Sequence, residues 1–476
     1  MASQSSCNHV DPFWVKDLPQ RNHAVASVGF DLLRCDRWPH SGQFWILDTV
    51  DATIISCSLP AALWDNRRML ESLRSVVSLK PIELDRTRRR LDAAANIEDL
   101  RLIAKKKLPA GVFDYIDGAA EDESAMARNA SRFSDRTLVP RVLKDVTKID
   151  ASTTILGKPA PLPLIIAPTG FPRIAHPEGE LATARAAARH GIPFSLSTMG
   201  TRSIEEVAAV CDGRKWFQVY VWRDRELTKD MLARCKENGY EALYITVDTA
   251  VLGRRERDVR RGMSLPPKLG LDTFIEGAMR PAWVLDFLRN DPIVFSNVAV
   301  STARLSNSTE DGSSAVSLAE YINSQFDPGL SWDDVEWIRS NWDGPVILKG
   351  IQSVADAEIA ASVGLDAIAL SNHGGRQLDS SPAIIDLVAP VADAVGGQIE
   401  IYCDGGVRRG SDIVKAVALG ADACMIGRPH LYALAAGGEA GVTHMLDFFQ
   451  DGMEQTMALT GVASVAELTP DVVTGA

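Results

Sequence analysis

Ser371-Asn-His-Gly-Gly-Arg-Gln-Leu-Asp379 places a histidine and an arginine three positions apart on a glycine-loosened turn, directly after the apolar run Ala367 to Leu370. A titratable base and a fixed cation at the mouth of a buried strand suit one task. His373 would take a proton from a substrate whose carboxylate Arg376 holds. The bland alternative is a solvated loop histidine beside a surface arginine.

Comparable polar residues close the other short apolar runs. In chain order they are Pro168-Thr169-Gly170, Ser197, Gln218 with Tyr220, Thr246 with Asp248, Lys349, Ser371 with His373 and Arg376, Asp404-Gly405-Gly406, and Gly427-Arg428. Core packing does not ask for polar groups at each of these ends, although Gln218 or Thr246 taken singly reads as an ordinary loop residue. Lys349 ends an apolar run, where an unpaired ammonium is costly to bury, so it should face an anion. The glycines of Asp404-Gly-Gly-Val-Arg-Arg-Gly410 let backbone N–H groups approach an anion, and Arg408 and Arg428 add forked cations. The expected ligand therefore carries a phosphomonoester; a plain surface turn is the alternative.

The elements that must position these groups are short apolar runs alternating with helical patterns, the signature of repeated βα units. The runs are Leu164 to Ala167, Pro193 to Leu196, Trp216 to Val221, Leu243 to Val247, Val346 to Leu348, Ala367 to Leu370, Ile399 to Cys403 and Cys424 to Ile426. Eight such runs predict a (β/α)8 TIM barrel, whose active sites gather at the carboxyl ends of the strands and whose last two loops commonly hold phosphate. An open Rossmann-type sheet would require a Gly-x-Gly-x-x-Gly turn after an early strand, and the first run ends instead in Pro168-Thr169-Gly170.

Ahead of the barrel, Asn96 is placed to cap a helix that stops at Pro109, and a second helical piece carries Phe113 to Tyr115. Residues 1–85 show no period and read as an extension outside the catalytic fold, residues 86–476; Met69 is an alternative start. The connection after the fourth run, from Ala250 to Trp332, is about 80 residues long, against a usual loop of ~4 to 6. Its inserted part, about residues 262–331, carries Trp283, Val284, Leu285, Phe287 and Leu288 and then a polar, mobile-looking stretch from Ser301 to Ser314. A lid over the site, a membrane or partner contact, and inert decoration are its three readings.

With 46% hydrophobic and 24% charged residues the chain has material for a large core, and a net charge of −12 argues against a nucleic-acid partner. Seven scattered cysteines without Cys-x-x-Cys suggest neither disulfides nor zinc, and the histidines lack metal-ligand spacing, so no metal is expected. No transmembrane run or export signal is evident, which points to the cytoplasm.

From Phe113 to the C-terminus these motifs, together with Thr246-Val-Asp248 and Gly253-Arg-Arg-Glu256, closely resemble the FMN-dependent (S)-2-hydroxy-acid oxidising family. Its members include glycolate oxidase, lactate oxidase, mandelate dehydrogenase, flavocytochrome b2 and the quinone-linked L-lactate dehydrogenases, the last being nearest. The resemblance implies His373 as base, Asp248 as the carboxylate stabilising its imidazolium, and Arg255 with Arg376 gripping the substrate carboxylate. Tyr115 and Tyr220 would orient carboxylate and hydroxyl. Lys349 would face the N1 and O2 edge of the flavin, Ser197, Gln218, Thr246 and Ser371 its ring or ribityl chain, and Pro168 to Gly170 its N5 side.

The implied reaction is oxidation of L-lactate to pyruvate, with electrons passed to a quinone or a soluble carrier. An oxygen-using oxidase of glycolate, mandelate or a longer acid is the alternative. Direct hydride transfer and initial carbanion formation both need a base of near-neutral pKa. The resemblance further implies a homotetramer, and the insertion suggests peripheral contact with the inner face of a membrane. Two other classes compete: a Schiff-base aldolase acting through Lys349, and a flavoprotein without catalysis, which would not need the proton-handling groups.

Overall fold

In the computed structural model, residues 83–261, 277–306 and 324–475 are described, with the backbone of two short antiparallel strands, Phe44–Ile46 and Ile55–Cys57. The chain divides into two compact units, Met1–Ile82 and Glu83–Ala476; all further elements belong to the second. Most of the expected extension thus lies outside the described residues.

Eight parallel strands close into a barrel: β1 Leu164–Ile166, β2 Phe194–Ser197, β3 Lys215–Val219, β4 Ala242–Thr246, β5 Val346–Ile351, β6 Ala367–Ser371, β7 Glu400–Asp404 and β8 Ala423–Ile426. Each pairs with the next, and β8 returns to β1 with Cys424 opposite Leu164, so the open-sheet alternative does not hold. Every apolar run read from the sequence falls on one of these strands, with small shifts at the ends.

The strands are apolar on both faces because both are covered. In β6, Ala367 and Ala369 join the barrel interior while Ile368 and Leu370 pack in the outer layer. Alanines inside leave space for Trp216, Tyr244 and Tyr402, whose rings lie 5.7 and 6.4 Å apart across the interior. A hairpin, Thr153–Ile155 with Lys158–Ala160, adds Ile155 and Ala160 to this cluster. It is tied to β7 by a 2.8 Å bond from the Leu156 N–H to the Glu400 carboxylate. This hairpin meets the amino-terminal end of β7, so the opposite end is left for the strand-end polar residues.

Among the described residues, a short helix Arg86–Leu91 and then three longer ones precede the barrel. Of these three, the first, Ile97–Lys107, is capped as its spacing predicted, the Asn96 side chain accepting the Asp99 N–H at 3.0 Å. The second, Ala110–Asp117, buries Phe113 and Ile116, each such side chain contributing roughly 1.5–3 kcal/mol. Phe113 stacks on Tyr432 of the long last helix, Arg428–Thr460, at 6.4 Å. The third, Ser124–Ser134, delivers Asn129 to the carboxyl end of the barrel.

The connection between β4 and β5 contains helices Glu256–Arg261, Pro281–Arg289, Ser296–Ser306 and Trp332–Ser340. The expectation of a mobile polar stretch beginning at Ser301 is corrected here. Ser301 is buried in a helix, where its hydroxyl donates to Asp230 at 2.6 Å and accepts from Arg234 at 2.9 Å. Partners seventy residues away satisfy it, and nothing local in the sequence announces them. Residues 307–314 lie outside the described residues. Helix Pro281–Arg289 buries none of its residues and leaves Leu285, Phe287 and Leu288 exposed. Among the described residues, no helix is long and apolar enough to cross a membrane.

Candidate active site

After β6 the backbone passes through three consecutive left-handed residues, His373 (φ 56°), Gly374 (65°) and Gly375 (77°). A histidine in that region costs on the order of 1–3 kcal/mol, so its surroundings must hold it there. Asn372 accepts the Gly375 N–H at 3.0 Å, and the Ser371 hydroxyl accepts the His373 N–H at 3.1 Å. Asn372 and Asn129 exchange side-chain amide bonds of 2.8 and 3.0 Å, and the Ala120 N–H donates to the Gly375 carbonyl at 2.8 Å. The segment ahead of the barrel therefore clamps the turn.

His373 Nδ1 lies 3.0 and 3.2 Å from the two oxygens of Asp248, which follows β4. Gly350 (φ 113°) makes room for that carboxylate: a Cβ there would come within 2.8 Å of the Asp248 Cβ. Gln377 braces the same loop, donating to the carbonyls of Asp248 and Val251 at 2.8 and 2.9 Å and accepting the Gly253 N–H at 3.0 Å. A carboxylate on Nδ1 selects the tautomer that carries its proton there and leaves Nε2 as the proton acceptor. Burial lowers the His373 pKa and Asp248 pulls it back, with a net fall, so the ring is neutral near pH 7. Burial acts to raise Asp248, but His373 and Lys349 outweigh it and the carboxyl stays ionised.

Arg255, Arg376, Tyr115 and Tyr220 line the same cavity as His373. Arg376 donates to the carbonyls of Tyr115 and Gly118, both at 2.8 Å, with its guanidinium 5.1 Å from the Tyr115 ring centre. Among the described residues neither arginine has a carboxylate within 4 Å, and Arg255 Nε is buried without a partner. Burial, then the neighbouring Arg255, presses the Arg376 pKa down, as expected of cations lacking their anion. Burial and then Asp248 raise the Tyr220 pKa, so its hydroxyl keeps its proton and can donate.

On the other side of the cavity, Gln218 Nε2 and Thr246 Oγ1 are buried without partners. Ser197 donates to Gln218 Oε1 at 2.7 Å and so fixes which end of the amide points at the unfilled space. Lys349 lies 2.7 Å from Asp404 and 3.0 Å from the Ser371 hydroxyl, which itself donates to Asp404 at 2.8 Å. Both contacts fall on Asp404 Oδ2, so Lys349 has an internal counter-ion, while Lys349 and Asp404 both line the cavity.

Beyond, Gly405 (φ 151°), Gly406 (φ 87°), Gly427, Arg408 and Arg428 form one wall. A Cβ at Gly406 would come within 2.1 Å of the Asn129 carbonyl oxygen. Among the described residues, Arg428 donates only to carbonyls, those of Asp117, Gly374 and Gly118, at 3.2, 2.8 and 2.7 Å. Pro168, Thr169 and Gly170 complete the lining, with Thr169 Oγ1 at 3.1 Å from Nε2 of the buried His430.

All the site residues expected from the sequence line this cavity except Asp248 and Ser371, and those two bond directly to residues that do. Sequence reasoning overlooked Asn129, Gln377 and Phe326. Gln377 stood inside the most informative motif; the other two carry no local signal.

Residues 104–475 match the family described as FMN-dependent dehydrogenase. The chain belongs to that family. A Mycobacterium tuberculosis protein provisionally named L-lactate dehydrogenase is 45% identical over 412 residues, covering 86% of this chain and 96% of that protein. Glycolate oxidase 3 of Arabidopsis thaliana is 42% identical over 374 residues, covering 79% and 94%. The crystal structure of the monotopic membrane protein (S)-mandelate dehydrogenase superposes with a TM-score of 0.76 at 37% identity, covering 80% of this chain and all of that one. Family membership makes the chain an FMN-dependent 2-hydroxy-acid oxidoreductase acting on CH–OH donors.

The cavity fits that cofactor. The unpartnered Gln218 amide and Thr246 hydroxyl suit the polar edge of an isoalloxazine, which offers both donors and acceptors. The glycine wall with Arg408 and Arg428 suits a phosphate.

Proposed function

We propose that the chain oxidises L-lactate to pyruvate and passes the electrons to a quinone or another carrier. The observation that carries the reading is the pair of carboxylate-free guanidinium groups, Arg255 and Arg376, beside a histidine whose Nδ1 is tied to Asp248. That arrangement offers an anion clamp and a free proton acceptor together. The names of the L-lactate dehydrogenase relatives support lactate.

In this reading Arg255 and Arg376 grip the substrate carboxylate through planar two-point contacts. The Tyr115 and Tyr220 hydroxyls orient the carboxylate and the substrate hydroxyl. Of the two protons and two electrons the hydroxy acid loses, His373 Nε2 accepts one proton, the other leaving with the electron pair, and Asp248 stabilises the imidazolium so formed. Bound FMN would take up the two electrons and the second proton. Lys349 would place its positive charge against the N1 and O2 edge of the ring, and Gln218, Thr246, Ser197 and Ser371 would hold the ring and ribityl chain. The backbone of Pro168 to Gly170 would face the N5 side. Gly405, Gly406, Gly427, Arg408 and Arg428 would hold the phosphate.

Adding L-lactate anaerobically to purified protein should bleach the visible flavin band, and reoxidation should proceed with a quinone. Dominant hydrogen peroxide formation in air would replace the dehydrogenase reading by an oxidase one. A borohydride-trapped adduct on Lys349 would replace both.

The exposed Leu285, Phe287 and Leu288 on helix Pro281–Arg289, flanked by Arg280 and Arg289, favour peripheral membrane contact through the insertion. A monotopic structural relative supports it. Co-sedimentation with anionic vesicles should be lost in Phe287→Glu/Leu288→Glu; equal binding by that variant would count against it.

A further inference from the structure

We infer that Phe326, delivered by the returning end of the long β4–β5 connection, sizes the space available to the substituent on C2 of the substrate and so sets which 2-hydroxy acids are accepted. The inference rests on the proposed reading of the site. C2 of a 2-hydroxy acid has four bonds. The arginine pair takes the carboxylate, His373 and Tyr220 take the hydroxyl, and the hydrogen must face the electron acceptor. The fourth, the alkyl or aryl substituent, is left to the apolar part of the lining that serves none of those groups. Met199, Leu252 and Phe326 are candidates for that wall.

Phe326 differs from the other two in how it is held. Its ring packs edge-on against Tyr220, with centroids 5.3 Å apart and planes at 61°. Its backbone forms an antiparallel bridge to Trp222, two residues beyond Tyr220. On one side of it, Gln325 accepts the N–H groups of Arg223 through its carbonyl at 3.0 Å and of Asp224 through its side chain at 3.1 Å. On the other, Asp327 pairs with Arg225 at 3.0 Å, and Arg225 also holds Asp334 at 2.6 Å. The returning segment is thus fastened to the loop after β3 by bonds on both sides of a single half-buried phenylalanine. Such fastening turns a loop residue into a fixed wall. It also gives the insertion a share in the reaction, because the phenylalanine rests on the tyrosine that orients the substrate hydroxyl.

The test compares L-lactate with L-2-hydroxyhexanoate in anaerobic flavin reduction, and pyruvate with 2-oxohexanoate in binding to the oxidised holoenzyme by calorimetry. Apolar pockets discriminate by about 10- to 200-fold per methylene, and by about fourfold where burial alone counts. Phe326→Ala should raise the 2-hydroxyhexanoate-to-lactate ratio of kcat/KM by at least about tenfold, with the same direction in the ratio of 2-oxo acid affinities, and Phe326→Trp should lower both. Phe326→Leu supplies an intermediate value should the alanine variant lose flavin or fail to fold. Ratios within about twofold of the parent in the leucine and tryptophan variants, with flavin retained, overturn the inference. If the parent holoenzyme is bleached by neither acid, the functional reading itself has failed, and that is distinguishable because it involves no variant.

Discussion

Replacing Asp248 by asparagine removes one charge and nearly nothing else, which makes it the sharpest test of the proton-handling pair. The shape is kept, as the space left by Gly350 requires. At 3.0 Å and an effective dielectric of about 20, the attraction between Asp248 and an imidazolium is worth ~5 kcal/mol. An asparagine oxygen still accepts from Nδ1, which reduces the loss to about 4 kcal/mol, or roughly a thousandfold in kcat. The pH dependence carries the sign. His373 acts as a base when neutral, so activity falls as pH drops through its pKa. Asp248 is the group that raises that pKa against burial. Asp248→Asn should therefore lower the plateau about a thousandfold while shifting the acid limb to lower pH. The assay is anaerobic flavin reduction by L-lactate from pH 4 to 9, with the visible spectrum confirming full flavin content. A plateau within tenfold of the parent, or an acid limb that moves up, would refute the reasoning.

Arg376→Lys keeps the charge but not the fork, and abandons the carbonyls of Tyr115 and Gly118; losing about 2–5 kcal/mol of buried charged contacts should cut kcat/KM for lactate at least thirtyfold with flavin retained. Gly406→Ala should abolish flavin retention, measured by absorbance after gel filtration, because its Cβ would strike the Asn129 carbonyl and its φ of 87° strains any L side chain. His430 is buried, and burial presses its pKa down to about 4. The unfolded chain binds that proton near pH 6.5, so the stability it confers is complete above pH 6.5 and is lost as pH falls towards 4, in total on the order of 3 kcal/mol. Urea unfolding of His430→Gln should show a correspondingly smaller decline over that window; identical slopes would exclude the assignment.

The barrel was legible because parallel strands covered on both faces read as uninterrupted apolar runs, and because function interrupts those runs at one end only. Ser197, Thr246, Lys349 and Ser371 each stand where an apolar residue would continue the strand, so their positions are visible without knowing their partners. The cap at Asn96 was legible for the opposite reason: its partner, the Asp99 N–H, is three residues away.

What stayed hidden depends on partners far along the chain. Asn129 looks like any polar residue on a helix, yet it completes the amide pair that holds Asn372, some 240 residues later, and its backbone fixes the need for Gly406. Asp404 read as part of a phosphate loop because its neighbours are glycines and arginines; only the barrel closure, which sets β5, β6 and β7 side by side, reveals Lys349 and Ser371 as its partners. Phe326 is the same case in the long connection. A sequence shows which residues break a pattern, whereas the strain at His373 is affordable because three distant segments, around Ala120, Asn129 and Asp248, converge on it. Loosening any one of them should therefore disturb the base before it disturbs the fold. Asn129→Ala is the clearest instance, taking from Asn372 both bonds of the amide pair and leaving it only the Pro382 carbonyl and the Gly375 N–H, a loss of about 1–3 kcal/mol. That is a small fraction of what a barrel of this size buries, and comparable to the whole cost of keeping a histidine at φ 56°.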